Sequence, residues 1–369
     1  MAPASAPRPR LRDLGITLGR LEPGPWNAIT DVPGVRVGQT TLIRGEGPLV
    51  PGQGPVRTGV TVILPHEGHP YLEKVPAAAH VINGAGEVTG RALIEEWGLL
   101  ETPICLTNTL NVGLVYDAVI EWLTGLAATL DASAWTLPVV AETFDGTLND
   151  IQGRHVRAEH VLAALAAAAP GPVAEGSVGG GTGMICHQFK GGTGTASRLV
   201  EAAGGRWTVG ALVQANHGAR SDLRVGGLAA GALLHAPLPG PARDGSIIIV
   251  LATDAPLDAH QLRRLAARGA LGLARTGSVA SNGSGDFTIA FSNFAGNRLR
   301  QGDGHAPRTQ TMLPNDALTD LFRAAVEAVE EAILNALCAA GDMVGRDGIF
   351  VPGLPVEELR RLWKAHHLG

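Results

Sequence analysis

Apolar positions in this chain gather in unbroken runs bounded by glycine, proline and polar turns. The sharpest case is "GPARDGSIIIVLATDAPL", Gly240 to Leu257. A polar patch ends at Ser246, and the apolar run Ile247 to Leu251 follows directly. Short runs of this kind read as strands covered on both faces. Others occupy residues 59–65, 104–107, 138–144, 207–216 and 286–293, with a shorter candidate near Val35–Val37. Helical periodicity marks residues 86–97, where Val88, Ala92, Leu93 and Trp97 share a face. Further helices are expected over 112–130, 156–169, 258–274, 315–340 and 355–366.

Two architectures bury strands on both faces: a doubly wound parallel sheet, and two stacked sheets between layers of helices. The second suits this chain better, because neighbouring strands often have no helix between them. Residues 165–206 are the clearest example, with glycine loops where a crossover helix would be expected. The expected fold class is α/β, a four-layer αββα sandwich. No linker is visible, so residues 1–369 are read as one domain.

Composition narrows the function. The chain is 45% hydrophobic and 17% charged, enough to build a large core. Aromatic residues make up 4%, too few for base-stacking platforms, and the net charge of −5 comes without a long basic run. Nucleic acid and anionic membrane are therefore poor partners. The N-terminal stretch lacks the apolar core of a signal peptide, and no run is long enough to span a bilayer without charges or turn residues. A soluble cytoplasmic protein is expected.

Cys105, Cys186 and Cys338 form no CxxC pair, so neither a zinc site nor a disulfide framework is expected, and Cys105 and Cys186 read as small buried hydrophobes. "HEGH", His66 to His69, lies between prolines and is no zinc-binding helix; it reads as a surface loop. "GGTGTAS" lacks the lysine of a phosphate loop and reads as glycines packing backbone on backbone. Lys190 in "QFKGG" reads as a solvated turn lysine. No metal or cofactor is expected.

The candidate chemistry starts at Gly245-Ser246. A serine hydroxyl needs a base to become a nucleophile. A cut just before Ser246 would supply one, since an α-amine has a pKa of about 7.7–8.0. The same hydroxyl can make that cut by attacking the preceding carbonyl, and Gly245 leaves the approach open. The plainer reading is a Gly-Ser turn. In "SNGSGDFTIAFSN", Ser284 and Asp286 are two residues apart at the head of a strand and share a face, as a polarised hydroxyl pair or as a turn with an acid at its edge. In "VQANHG", Asn216 ends a strand, as an oxyanion donor or a strand-terminating Asn. In "AETFDGTLND", Glu142 ends another, as the partner of a substrate ammonium or as a solvated carboxylate.

Together these stretches resemble the L-aminopeptidase/D-esterase and β-peptidyl aminopeptidase family of self-cleaving N-terminal-serine hydrolases. The resemblance extends through "ITDVPGVRVGQTT" (29–41), "RTGVTVILP" (57–65), "NGAGEVTG" (83–90), "TNTLNVG" (107–113) and "GTGMICHQFKGGTGTASR" (181–198), in order along the chain. It implies an αββα fold and cleavage between Gly245 and Ser246 into fragments 1–245 and 246–369. Ser246 would be the nucleophile, Ser284 and Asp286 its hydrogen-bonded partners, Asn216 an oxyanion-hole donor, and Glu142 the holder of the substrate's free amine. Phe144 stands where the family often carries an aromatic hydroxyl. The implied substrates are small peptides, amino-acid amides or esters, and the implied assembly is a homotetramer. A self-processing acyltransferase with an amine acceptor and a non-catalytic protein on the same fold are the alternatives.

Overall fold

A computed structural model describes residues 8–125, 130, 133–240, 244–303 and 306–368. Nine principal strands make two sheets. β1 (Arg36–Arg44), β2 (Val56–Leu64), β4 (Ile104–Asn108) and β5 (Val139–Thr143) form the first, in the order β1-β2-β4-β5. β3 (Glu73–Gly84), β6 (Gly192–Ala202), β7 (Gly205–Asn216), β8 (Ser246–Thr253) and β9 (Gly285–Ser292) form the second, in the order β3-β9-β8-β7-β6, with the short strands Leu99–Leu100 and Leu299–Arg300 paired to β3. β8 runs antiparallel to β7 and parallel to β9, so Ser246 lies opposite Asn216 on one side and Gly285 on the other.

The apolar runs have the cause the sequence suggested: both faces of each sheet are covered. Along β8, Ile248 and Val250 pack between the sheets against Ile63, Ile104, Leu106 and Ala141. Ile247, Ile249 and Leu251 point the other way, into a core shared with α4 (Ala259–Ala266), α5 (Gly269–Arg275) and α6 (Leu318–Ala339). Each such Ile or Leu contributes about 1.5–3 kcal/mol by burial. On the outside of the first sheet, Val60, Val62, Cys105 and Val140 pack against α2 (Val112–Thr124) and α3 (Ala158–Ala166). The layer order is helix, sheet, sheet, helix, as expected. α1 (Arg91–Trp97) and α7 (Val356–Leu368) complete the helices named here.

Several expectations are corrected. The glycine loops expected within 165–206 include a full strand, β6, paired along β7. Its glycines permit close approach: a Cβ on Gly194 would lie 2.0 Å from the Ala332 carbonyl oxygen of α6. Arg198 of the same strand is wholly buried and pairs with Glu331 of α6 at 2.6 Å and Glu327 at 3.2 Å. β3 was not anticipated, because "EKVPAAAHVING" carries a proline and small alanines in place of a β-branched run. The helix expected over 258–274 is two helices, divided before Gly269, where a Cβ would meet Thr288 Oγ1 at 2.5 Å. The expected helix 112–130 ends as an α-helix at Thr124, and its residues 126–129 lie outside the described residues.

Candidate active site

The carboxyl end of β7, the start of β8 and the turn before β9 meet at one edge of the second sheet. Ser246 is 7% exposed, and its Oγ accepts a hydrogen bond from the Gly285 N–H at 3.1 Å. Ser284 Oγ donates to Asp286 Oδ1 at 2.5 Å, and the same oxygen accepts from the Ile247 N–H at 3.1 Å. One carboxylate thus links the residue after the candidate nucleophile to the candidate partner hydroxyl. Asp286 Oδ2 is buried and has no hydrogen-bond partner. Burial pushes the Asp286 carboxyl above its usual range, against the pull of Ser284 and the Ile247 N–H.

Gly245 has a steric requirement of its own. A Cβ there would lie 2.0 Å from the Asn216 carbonyl oxygen and 2.7 Å from His217 Cα, so the residue before Ser246 is pressed onto the end of β7. Asp244 is exposed, and its Oδ2 accepts from the Gly283 N–H at 3.0 Å, which ties the loop ahead of Ser246 to the turn ahead of Ser284. Pro241 to Arg243, inside that expected loop, lie outside the described residues.

Asn216 accepts from the Ile185 N–H at 2.8 Å and donates to the Phe144 carbonyl at 3.1 Å. An amide carries two N–H donors, so one remains after the Phe144 contact. Glu142 is buried at the end of β5, where Oε1 accepts from the Glu87 N–H at 3.1 Å and Oε2 accepts from the Thr109 hydroxyl. Burial raises its pKa, with both hydrogen bonds opposing. Gly86 connects the two sheets here: a Cβ on it would lie 3.1 Å from Glu142 Oε1 and 3.0 Å from Gly285 Cα. The half-exposed Phe144 ring separates two recesses. One, of about 130 Å³, is lined by Phe144, Asn216, His217, Asp244 and Gly245. The other, of about 350 Å³, is lined by Phe144, Thr109, Leu110, Asn149, Ile151 and Arg346.

The candidate active-site residues Gly245, Ser246, Ser284, Asp286, Asn216, Glu142 and Phe144 therefore converge on one edge, from both sheets. Sequence reasoning missed the supports. Asn83 Nδ2 donates to the carbonyls of Ser284, Ser281 and Asn282 at 2.5, 3.0 and 3.1 Å, holding the turn that presents Ser284. Its only signal was membership in "NGAGEVTG". Thr109 gave no signal beyond "TNTLNVG".

Two readings change. Lys190 is not a solvated turn lysine: it is fully buried, and its Nζ donates to the carbonyls of Met184, Gly191 and Gly181 at 2.7, 2.8 and 3.5 Å. Burial lowers its pKa to about 7. His66 lies in a loop but is wholly buried, hydrogen bonded through Nε2 to the Glu73 carbonyl at 2.7 Å. Cys186 is buried as expected, with the His217 imidazole beside it. Burial holds His217 well below the usual histidine pKa, so its ring is neutral near pH 7.

Comparisons with known proteins identify the family. Residues 27–351 match the model of peptidase family S58. Beta-peptidyl aminopeptidase BapA of Sphingosinicella microcystinivorans is 50% identical over 98% of this chain and 94% of its own length. The enzyme of that name from Sphingosinicella xenopeptidilytica is 47% identical over 99% and 93%. Among solved structures, the PH0078 protein from Pyrococcus horikoshii OT3 superposes with a TM-score of 0.92 at 46% identity, covering 97% of this chain and 99% of its own. The L-aminopeptidase D-Ala-esterase/amidase of Ochrobactrum anthropi, a prototype serine aminopeptidase with a variant Ntn hydrolase fold, gives 0.90 at 44% identity, with the same coverage. The chain belongs to peptidase family S58, a hydrolase and peptidase on the Ntn hydrolase fold.

Proposed function

We propose that this chain is a self-processing serine aminopeptidase, amidase and esterase that releases N-terminal residues from small peptides, amides and esters. The supporting observation is the convergence at Ser246: a serine opening a buried strand, with Asn216 opposite, Gly245 pinned behind it, and the Ser284–Asp286 pair on the neighbouring strand.

In the processing step Ser246 Oγ attacks the Gly245 carbonyl carbon. The C–N bond breaks as the ester C–O bond forms, and the nitrogen takes the proton to become the α-amine of Ser246. Water then cleaves the ester, leaving fragments 1–245 and 246–369 of one domain. In turnover the neutral α-amine accepts the Ser246 hydroxyl proton while Oγ attacks the substrate carbonyl. The free Asn216 N–H stabilises the oxyanion. Glu142 pairs with the substrate ammonium as an added partner, since a carboxylate has about four acceptor positions. The two BapA relatives carry β-peptidyl substrates in their names, and the same class is proposed here. No metal or cofactor takes part.

Mass spectrometry of the purified protein, with turnover of α- and β-aminoacyl p-nitroanilides, tests the reading. Two fragments with a new N-terminus at Ser246 and release of nitroaniline are expected; a single full-length species that hydrolyses none of the panel would overturn it. A homotetramer of processed protomers in the cytoplasm completes the proposal, checked by sedimentation and by cell fractionation. No helix among the described residues is long and apolar enough to cross a membrane.

A further inference from the structure

Behind the oxyanion side of the site, Cys186, His187 and His217 form a buried cluster whose sulfur and ring nitrogens all lie within 4.8 Å of one another. The pairs Ile185–Cys186 and Phe189–Lys190 make a tight hairpin, turned by His187 and Gln188 at φ of 49° and 56°. Left-handed backbone at both turn positions ordinarily calls for Asn or Gly. Here it turns an imidazole inward. His187 Nδ1 donates to the Ala219 carbonyl at 2.9 Å, which leaves the Nε2 lone pair free. That nitrogen is buried without a partner, on a wholly buried side chain. The His217 ring packs edge-on to the His187 ring, and its nitrogens lie 3.8 and 3.9 Å from Cys186 Sγ.

We propose that Cys186, His187 and His217 form a binding site for a soft monovalent cation of the Cu(I) class, which clamps the end of β7 that carries Asn216. Two ligands about 2.0–2.3 Å from a trigonal metal are separated by roughly 3.5–4 Å; Cys186 Sγ is at that separation from His217 but almost equally far from both ring nitrogens, so the ring must turn to aim one lone pair at the metal. A thiolate and two imidazoles are soft and borderline donors, which suit Cu(I) or zinc. Three protein ligands satisfy trigonal Cu(I), whereas structural zinc takes four. Charge also selects: Cu(I) with one thiolate is neutral, whereas a divalent ion would leave a net positive charge in a dry interior. On binding, the Cys186 thiol gives its proton to solvent as the Cu–S bond forms, and no electron is transferred. His217 lines the recess beside Gly245, which provides an entrance. It also follows Asn216 directly, and the Asn216 side chain is already tied to the hairpin through the Ile185 N–H. Metal bound to His217 and the hairpin would lock this corner.

The clamp rests on the proposed role of Asn216; the metal site does not. The test is anaerobic competition of the purified protein with a chromogenic Cu(I) chelator, alongside turnover of an aminoacyl p-nitroanilide. One Cu(I) per chain is expected, with turnover lowered at least tenfold. Cys186→Ser should weaken binding by more than the 10–100-fold lost when an outer partner of a metal ligand is removed, and its turnover should no longer respond to Cu(I). His187→Gln, monitored by circular dichroism, repeats the test should Cys186→Ser fail to fold, and Cys338→Ser should bind as the parent does. Binding that survives both Cys186→Ser and His187→Gln, or no binding by the parent, overturns the site. Binding without inhibition overturns the clamp. A parent that binds one Cu(I) but turns over no substrate overturns the aminopeptidase reading and leaves the site standing.

Discussion

Glu142 and Asp286 are both buried carboxylates at the end of a strand in the same corner, and burial raises the pKa of each. They differ in what their second oxygen does. Both oxygens of Glu142 are held, by the Glu87 N–H and the Thr109 hydroxyl. Asp286 holds the Ile247 N–H and the Ser284 hydroxyl on Oδ1 alone, and Oδ2 is left without a partner. A buried polar atom without a partner is costly, and the missing donor has an obvious source. The uncut chain has a peptide at Ser246, one residue from the N–H that Asp286 already holds; a cut would put an ammonium there. On the proposed function, Glu142 would receive an amine from outside, and Asp286 one made from the chain itself.

The harshest way to break this contrast is to prevent the amine from forming. We expect Ser246→Ala to leave a single uncut chain and no detectable turnover, read by mass spectrometry and nitroaniline release. Both carboxylates stay in place, so a two-fragment Ser246→Ala protein would sink the assignment outright.

Next in size is the contrast itself. Asp286→Asn should slow both processing and kcat, by up to the roughly 10⁴-fold lost when a triad's outer carboxylate is replaced by its amide. Glu142→Gln should leave processing intact, because the precursor has no free amine at its scissile bond. Losing one charge-assisted hydrogen bond is worth about 1.5–3 kcal/mol, or roughly 10–150-fold, and it should appear in KM. Equal loss of processing in the two variants would erase the distinction and make Glu142 a structural residue.

The pH dependence sharpens it further. Glu142 binds an ammonium only when ionised, and burial raises its pKa above the ordinary glutamate value. KM should therefore begin to climb, as pH falls, at a higher pH than an ordinary glutamate would give. Glu142→Gln should remove this climb. A separate acid limb in kcat is expected from the proposed Ser246 α-amine, which would have to be neutral to act. Burial holds the His217 pKa well below the usual histidine value, and the limb is expected to survive His217→Ala in a cleaved, folded protein.

How much of this was legible depended on whether the residue's reason lay in its own stretch. The run Ile247–Leu251 announced a strand buried on both faces, and Gly245-Ser246 before it marked the candidate site. Ser284 and Asp286 were readable because the two-residue strand period puts them on one face. β6 was not, because its Gly194 is explained by α6, more than a hundred residues later in sequence. Lys190 was misjudged for a different reason: the carbonyls that satisfy it, of Met184 and Gly191, are local in sequence, but a polar turn gives no sign that the fold buries it. Asn83 and Thr109 act only through partners on other strands, and Cys186–His187 and His217 are separated by β6 and β7.

The smallest expected effect tests the boundary between the two recesses. Phe144 divides the space beside Gly245 from the groove beside Thr109, and its backbone carbonyl holds the Asn216 amide. Substitution of the side chain leaves that carbonyl in place, so Phe144→Tyr keeps the Asn216 contact and adds one hydroxyl at Cζ, beside Gly146. A neutral hydrogen bond contributes about 0.5–1.5 kcal/mol, so kcat/KM should change by no more than about tenfold, with processing unchanged. The ratio of amide to ester turnover is the sensitive readout, since a hydroxyl near the leaving group assists the poorer leaving amine more than the alcohol. A change above a hundredfold, or impaired processing, would mean that the Phe144 ring itself supports the Ser246 corner.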